Sequence, residues 1–349
     1  MNDTSLATLS PSDLWDDYRP TPLLELPRLA RLTGVRRVFV KAEGERPLGN
    51  FKVLGGMVAG LRTLARATGV ATLQDLTQLR AQGGSLPKLI CASDGNHGLA
   101  VAAAARRVGS GASIYLPRGV SQWRADRIET YGGEVIWSVG TYDDAVLAAA
   151  AAAKRGDGIL VPDTTTDPLD PVVQDVMAGY AILTKELVSQ FRNDVHERPS
   201  HMFIQAGVGG LAAAMLRGLL IIMQNPSSLV VVEPKSAACV ARAIVVGRPE
   251  RLVGELQTSA EMLSCGLASA PALEILRWYN PRCVVVDEEQ LTAAVTCLHD
   301  VGGPDTTASG AAGLAGFLHV ATRPDFASEH QLNSSSVVLL VATESRGAA

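Results

Sequence analysis

The sequence predicts an α/β protein whose mostly parallel β-sheets are covered by helices on both faces. Short apolar runs of four to six residues alternate with longer alanine- and leucine-rich segments along most of the chain. The short runs are apolar throughout, which is typical of strands that are buried on both faces of a parallel sheet. Regular alternation of strand and helix patterns indicates the same architecture.

In chain order, the elements follow a polar segment. Residues 1–17 are expected to be loose, and Pro20 and Pro22 then impose an extended path that excludes a helix. The predicted strands are residues 37–41, 89–92, 113–116, 134–139, 158–161, 201–205, 229–233, 283–286 and 337–341. The predicted helices are residues 27–33, 53–66, 98–107, 123–131, 142–154, 172–190, 211–224 and 289–301. Residues 162–175 indicate a linker or an active-site loop, and residues 324–336 indicate a polar loop.

The composition limits the classes of function. The chain has 349 residues, 47% hydrophobic and 19% charged, and this length suggests about two domains, although one large α/β unit is possible. The net charge is -4 without a basic stripe, so a small charged metabolite is a better partner than nucleic acid or an anionic membrane. Five scattered cysteines without a CxxC pair predict thiols of a cytoplasmic protein, with neither a metal site nor disulfides. The N-terminus is unlike a secretory signal, and no apolar run reaches about 18 residues.

Ligands of parallel sheets bind beyond the carboxyl ends of the strands, so chemistry is expected in the turns that follow the strands. The first such turn is GNFK at residues 49–52, which opens a predicted helix. Lys52 could be a solvated residue at a helix start. It could also lie in a closed site, where its amine can lose a proton and attack a carbonyl group.

Two later turns favour the closed site. SDGNHG at residues 93–98 offers an amide at Asn96 and acid–base groups at Asp94 and His97. The turn after strand 201–205 places three glycines at a helix N-terminus, where backbone N–H groups can bind a single phosphate. It is neither the GxGxxG fingerprint nor a P-loop, and it consists of Gly207, Val208, Gly209, Gly210 and Leu211.

Together the three turns match one cofactor. A Schiff-base lysine, an amide for a phenolic oxygen and a cradle for one phosphate correspond to the aldehyde, the phenolic oxygen and the phosphate of pyridoxal 5'-phosphate (PLP). No other common cofactor needs that set.

With these motifs the chain resembles the PLP-dependent enzymes of the tryptophan synthase β family (fold type II). The resemblance rests on PTPL at 20–23, GNFK at 49–52, SDGNHG at 93–98 and GVGGL at 207–211, in the same order and approximate spacing. It implies a large cofactor-binding domain (1–52 and 162–349) and a small mobile domain (53–161), each with a mostly parallel sheet. It also implies that Lys52 forms the Schiff base, that Asn96 bonds the phenolic oxygen, that residues 207–211 hold the phosphate and that Thr343 faces the pyridine nitrogen.

Further motifs resemble the diaminopropionate ammonia-lyases within that family: FKVLGG at 51–56, VEPKSAAC at 232–239, MLSCGLAS at 262–269 and SGAAGL at 309–314. This resemblance implies β-elimination from 2,3-diaminopropionate or a similar amino acid, giving pyruvate and ammonia through an aminoacrylate, and a homodimer. It also implies that Asp94 and Asp163 act at the substrate. Asp94 could instead cap a helix and Asp163 could be a turn residue, while His97 is expected to be structural.

The chain also departs from that pattern. Residues 165–170 replace an aromatic segment that usually follows the second aspartate, and the C-terminal TEG pattern is TES at 343–345. Two alternatives therefore stay open: an enzyme of serine or threonine dehydration or of β-replacement, and a catalytically silent homologue that binds PLP. Glu43 and Arg46, just before the lysine turn, could bind a substrate carboxylate or be ordinary loop charges.

Overall fold

The computed structural model of the chain describes residues 9–93 and 95–348, and they form two compact units. Unit 1 comprises the described residues up to Arg19 together with Lys52–Asp163 and Leu169–Ile182. Unit 2 comprises Pro20–Phe51, Thr164–Pro168 and the chain from Leu183 onward. The predicted small domain, residues 53–161, lies within unit 1, and its mobility stays a prediction.

The secondary structure alternates as the sequence predicts. The strands are β1 (Leu23–Glu25), β2 (Arg37–Ala42), β3 (Leu89–Ala92), β4 (Ala112–Pro117), β5 (Gly133–Ser138), β6 (Ile159–Leu160), β7 (His201–Gln205), β8 (Ser228–Pro234), β9 (Arg282–Val286) and β10 (Val337–Ala342). The helices are α1 (Pro11–Leu14), α2 (Pro27–Thr33), α3 (Lys52–Thr68), α4 (Leu73–Ala81), α5 (Asn96–Arg107), α6 (Gln122–Thr130), α7 (Tyr142–Arg155), α8 (Pro171–Gln190), α9 (Gly210–Leu219), α10 (Cys239–Val246), α11 (Ala270–Tyr279), α12 (Glu288–Asp300), α13 (Ala308–Ala321) and α14 (Pro324–Glu329).

Unit 1 is built on a parallel sheet in the order β5-β4-β3-β6. Adjacent residues of a strand point to opposite faces of the sheet, and β4 shows what covers each face. Ile114 contacts the start of α5 at Gly98, whereas Tyr115 packs with the alanines of α7. Helices therefore cover both faces of this sheet, as the apolar strands predict.

Unit 2 is built on a six-stranded sheet in the order β1-β2-β10-β7-β8-β9. Only β1 pairs antiparallel, and the other neighbours are parallel. Every residue of β7 and of β10 is buried, as expected for continuous apolar strands in the middle of a parallel sheet. The predicted fold class, α/β with two mostly parallel sheets, is confirmed.

Local signals fix the helix boundaries. Thr141 caps α7, because its hydroxyl accepts from the Asp144 backbone while Asp144 accepts from the Thr141 backbone, and Gly156 ends the helix in a left-handed conformation. Asp287 and Gln290 form the same capping box at α12. The starts of these two helices fall within one residue of their predicted positions.

Two predicted loops are partly wrong. Residues 11–14, within the segment expected to be loose, form α1, because the Ser10 backbone N–H donates to Asp13 Oδ2 at 2.7 Å and Leu14 is buried. Residues 324–329, within the predicted polar loop, form α14, where Pro324 starts the helix and the Phe326 ring packs on His319. Among the described residues, no helix is long and apolar enough to span a membrane.

Candidate active site

Lys52 is the first residue of α3, and its amine contacts a carboxylate. Lys52 Nζ lies 2.8 Å from Asp163 Oδ2, and the two side chains are 23% and 11% exposed. Asp163 follows β6, so it stands at the carboxyl end of a parallel strand, where the sequence predicts chemistry. Two candidate catalytic residues that are 111 positions apart in the chain are thus adjacent in unit 1.

The charge state of Asp163 depends on this contact. Burial by itself would raise the pKa of the Asp163 carboxyl, but the charge of Lys52 and the hydrogen bond from its amine counteract burial, and this pKa is about 2, below its ordinary value of 3.8. Asp163 is therefore a carboxylate near neutral pH, and it accepts the hydrogen bond from the lysine.

His97, in the first turn of α5, holds the segment that leads to Asp163. Its Nε2 lies 2.8 Å from the carbonyl oxygen of Val161, which can only accept, so Nε2 carries the proton. Burial lowers the pKa of His97 below 6.5, so the ring is neutral near pH 7. Its Nδ1 is then a buried acceptor, and no other described residue donates to it. His97 therefore connects α5 to the strand end two residues before Asp163.

The other predicted residues of this turn are placed differently. Asn96 is the first residue of α5 and is buried. It lies one helical turn before Ala100, against which α3 packs. Gly95 has a φ of 136°, and a Cβ there would lie 2.9 Å from the Arg124 side chain, so the turn needs glycine at this position. The predicted site residue Asp94 lies outside the described residues.

Sequence reasoning missed Tyr180, which belongs to the part of α8 in unit 1. Burial raises the pKa of the Tyr180 hydroxyl, on which the charges of Lys52 and Asp163 also act. A Cβ on Gly55 of α3 would lie 2.6 Å from Tyr180 Cε1, so the ring packs directly against the helix that starts at Lys52. Tyr180 carries no sequence signal, because it occupies an ordinary buried position of a long apolar helix.

In unit 2, the glycine turn forms a narrow helix N-terminus. Gly209 precedes α9 with a φ of 96°, and no side chain caps the helix. A Cβ on Gly207 would lie 3.0 Å from Cys265 Sγ, and a Cβ on Gly209 would lie 3.2 Å from both Leu276 and Val240. Side chains are thus excluded, while the first N–H groups of the helix have no partner within the helix itself. The predicted residues Val208, Gly210 and Leu211 belong to the same turn, which has the chemistry of an anion cradle.

Thr343 follows β10 in unit 2 and is buried. Gln205 Nε2 donates to Thr343 Oγ1 at 3.2 Å, so the threonine hydroxyl can donate its own proton to another acceptor. The carbonyl oxygen of Thr343 accepts from the backbone N–H of Phe51 at 3.0 Å. A neutral hydroxyl of this kind fits an uncharged ring nitrogen.

Glu43 and Arg46 do not contribute free charges to a site. Arg46 donates to both oxygens of Glu43 at 2.6 and 2.7 Å and to both oxygens of Glu186 at 2.9 Å. Lys41 Nζ donates to Glu186 at 2.7 Å, and all four side chains are at most 4% exposed. This buried ion cluster (Lys41, Glu43, Arg46 and Glu186) excludes the interpretation that Glu43 or Arg46 binds a substrate carboxylate.

The residues present fit PLP. Within unit 1, the Lys52 amine lies beside a carboxylate. Within unit 2, the glycine turn has no space for side chains, and the Thr343 hydroxyl has a proton to donate. A phosphate needs such backbone N–H groups at a helix start, and an aldehyde needs such an amine.

Comparison with known proteins gives the same cofactor. Residues 14–344 match the family described as "Pyridoxal-phosphate dependent enzyme". Diaminopropionate ammonia-lyase of Escherichia coli (strain K12) is 34% identical over 339 residues, which cover 94% of this chain and 84% of that protein. A crystal structure of the E. coli enzyme in complex with an aminoacrylate-PLP azomethine reaction intermediate matches with a TM-score of 0.83 and 30% identity, covering 99% of this chain and 91% of that one.

A second kind of relative is also similar. The human protein named "Serine dehydratase-like" is 30% identical over 280 residues, which cover 80% of this chain and 76% of that protein. The family match and these identities confirm the resemblance drawn from the four motifs, and this chain belongs to the family of pyridoxal-phosphate dependent enzymes.

Proposed function

We propose that this chain is a PLP-dependent ammonia-lyase that eliminates the β-amino group of 2,3-diaminopropionate, or of a similar β-substituted amino acid, to give pyruvate and ammonia. The observation that carries the proposal is the 2.8 Å contact between Lys52 Nζ and the Asp163 carboxylate. An amine and a carboxylate in contact can hold and pass on a proton taken from a substrate carbon. The similarity to the E. coli enzyme supports this activity.

Lys52 and Asp163 would share the proton chemistry. When bound, PLP supplies an electron sink that makes the Cα proton of an amino acid removable. Lys52 Nζ would hold the cofactor aldehyde and, once released, accept the Cα proton. The Asp163 carboxylate would stabilise the resulting ammonium through the hydrogen bond that it already accepts. With the free Lys52 amine beside it, Asp163 has a pKa of about 2 and is ionised near neutral pH.

The remaining predicted residues would hold the cofactor. Asn96 would bond the phenolic oxygen, the backbone of residues 207–211 would bind the phosphate, and Thr343 would donate to the pyridine nitrogen. A hydroxyl leaves that nitrogen largely unprotonated, which suits elimination better than a long-lived carbanion. Asp94 would be the base on the opposite face of the substrate, and this role would allow the D enantiomer to react.

We also propose the finer features that the family resemblance implies. The enzyme would act in the cytoplasm as a homodimer, with residues 53–161 as a mobile small domain. The five cysteines, all among the described residues, are thiols rather than disulfides, which suits a reducing compartment.

A visible absorption spectrum of the purified protein tests the proposal most directly. We expect a cofactor band that changes when D- or L-2,3-diaminopropionate is added and that is accompanied by pyruvate. Asp94→Asn should abolish the reaction of the D form, and Asp163→Asn should slow the enzyme while the band is retained. If no band forms even after PLP is added, the cofactor roles of Lys52 and Asn96 are wrong.

The second candidate is serine or threonine dehydration, or β-replacement. The similarity to the human serine dehydratase-like protein favours it. A band that responds to L-serine but not to diaminopropionate, with pyruvate formed only from serine, would establish dehydration. Formation of a new amino acid when a nucleophile is added would establish β-replacement.

A further inference from the structure

Two parallel helices of unit 1 carry two of the proposed cofactor residues at the same level. Helix α3 begins at Lys52 and α5 begins at Asn96. A Cβ built on Gly56, one turn into α3, would lie 2.4 Å from the Cβ of Ala100, one turn into α5. One turn further, a Cβ on Gly60 would lie 2.8 Å from the Cβ of Ala104. Lys52 and Asn96, Gly56 and Ala100, and Gly60 and Ala104 are all separated by the same number of residues in the chain. The two helices therefore run parallel, with their first turns side by side.

The contact at Gly56 leaves no room for adjustment on the α5 side. Non-bonded carbon atoms are in favourable contact at about 3.5–4.0 Å, so an alanine at position 56 would require α3 and α5 to separate by roughly 1 Å or more. The obstructing atom, the Ala100 Cβ, is fixed to the backbone of a buried helix and cannot rotate away. Removal of that methyl group would leave the built Cβ 3.4 Å from the nearest backbone atoms of residue 100, which is ordinary contact.

Helix α3 is held as closely on a second side, by the part of α8 in unit 1. A Cβ on Gly55 would meet the Tyr180 ring at 2.6 Å, and a Cβ on Gly179 would lie 2.7 Å from the Cα of Gly55. Helix α3 therefore packs tightly against α8 as well as against α5. These contacts define the position of the turn that starts at Lys52 on two sides.

We propose that Gly56 is a positioning residue that sets the separation between the Lys52 amine and the Asn96 amide. This inference rests on the proposed function, in which Lys52 holds the aldehyde of PLP and Asn96 bonds its phenolic oxygen. These two groups occupy neighbouring carbons of one rigid ring, so the protein groups that bind them must keep a fixed separation. The close contact between Gly56 and Ala100 supplies that separation. Gly56 has no Cβ, so the two helices approach closely one turn after Lys52 and Asn96.

The test compares matched variants of the PLP-loaded full chain. Gly56→Ala should widen the separation. Its cofactor absorption band should shift, and its Kd for PLP should rise about tenfold, the loss expected for one hydrogen bond to a charged oxygen. Its kcat should fall by up to about 100-fold, as expected for a misplacement of about 1 Å. The double variant Gly56→Ala/Ala100→Gly moves the methyl group to the other helix, and it should recover the wild-type band and Kd.

Two further variants separate positioning from stability. Gly119→Ala adds a methyl group in unit 1 where nothing lies within 4 Å, and it should match the wild type. Gly60→Ala creates a similar clash one turn further from Lys52, so it should disturb the band less than Gly56→Ala although it perturbs the same helix pair. If Gly56→Ala does not fold, the double variant and Gly60→Ala carry the comparison, and a double variant with a shifted band overturns the proposal.

The outcomes also distinguish this inference from the proposed function. A wild-type protein that forms no cofactor band refutes the roles of Lys52 and Asn96. A normal wild-type band together with an unchanged band and Kd in Gly56→Ala refutes the positioning role alone. A double variant that stays as impaired as Gly56→Ala also refutes it, since the spacing would then not be what matters.

Discussion

Removal of Arg46 should destabilise unit 2 strongly, because Arg46 is the centre of the buried ion cluster. The cluster contains two cations, Lys41 and Arg46, and two anions, Glu43 and Glu186, so its formal charge is zero. Arg46→Met leaves one cation for two carboxylates that are at most 4% exposed. A buried ion that loses its partner costs about 3 to 5 kcal/mol, and we expect a loss of that size in the free energy of unfolding.

Urea unfolding of the apoprotein, followed by circular dichroism, measures the loss. The matched control is Arg282→Met, which breaks an ion pair with Glu329 whose side chains are 43% and 58% exposed and should cost less than about 1 kcal/mol. Both arginines belong to unit 2, so the two variants perturb the same unfolding transition. Arg46→Lys keeps the charge but cannot bridge two carboxylates, and an intermediate loss is expected.

Lower pH should reduce the effect of Arg46→Met. Arg46 helps to hold the pKa of Glu186 below its ordinary value, so the pKa of Glu186 should rise when Arg46 is removed. Protonation of Glu186 then restores a neutral cluster, and the difference from the wild type should shrink as the pH falls from 7 toward 4. An Arg46→Met variant that loses no more stability than Arg282→Met would contradict the charge argument. A loss that does not depend on pH would indicate that packing, rather than charge, is responsible.

Two further perturbations concern the site itself. Because the folded-state pKa of Asp163 is depressed to about 2, the ionised carboxylate adds stability above its ordinary pKa of 3.8 that is lost as the pH falls through about 2. Asp163→Asn should therefore destabilise the apoprotein by about 2 kcal/mol near pH 7, and the difference should vanish in acid; a constant difference would contradict the pairing with Lys52. Gly209→Ala places a methyl group at a φ of 96° and 3.2 Å from Val240, so the Kd for PLP should rise about tenfold. Gly254→Ala, at a similar positive φ in open space, is its control, and an equal effect of both would exclude a role of the cradle.

The sequence predicts the strands well because each strand is a local pattern. The strands at residues 89–92 and 201–205 have their predicted ends, and the other predicted strands differ by one residue at one or both ends. Parallel pairing explains how Asp163 comes near the Asn96 turn. Strand β6 pairs with β3 through Leu89 and Ile90, so the turns that follow both strands lie at the same edge. The rule that ligands bind beyond carboxyl strand ends is therefore enough to group these two turns.

The buried ion cluster could not be predicted in this way. Glu186 lies 140 residues after Arg46, in a helix whose sequence pattern does not distinguish a buried glutamate from a solvated one. Loop charges next to a candidate lysine are equally compatible with substrate binding and with ion pairing. Only the contacts decide between these roles, since they show that each of the three guanidinium nitrogens donates to a buried carboxylate.

The glycines of α3 show a different limit of sequence reasoning. Helix α3 has 17 residues and contains Gly55, Gly56 and Gly60, each of which costs about 1 kcal/mol in helix propensity relative to alanine. Helix propensity alone disfavours a helix at these glycines, and no local sequence pattern compensates for the cost. Tertiary packing compensates for it, because each glycine allows a neighbouring helix to approach more closely than any side chain would permit. Helix α3 thus has its least helix-favouring residues at the positions where it packs most closely against its neighbours. This arrangement is expected when the position of Lys52 matters more than the intrinsic stability of the helix.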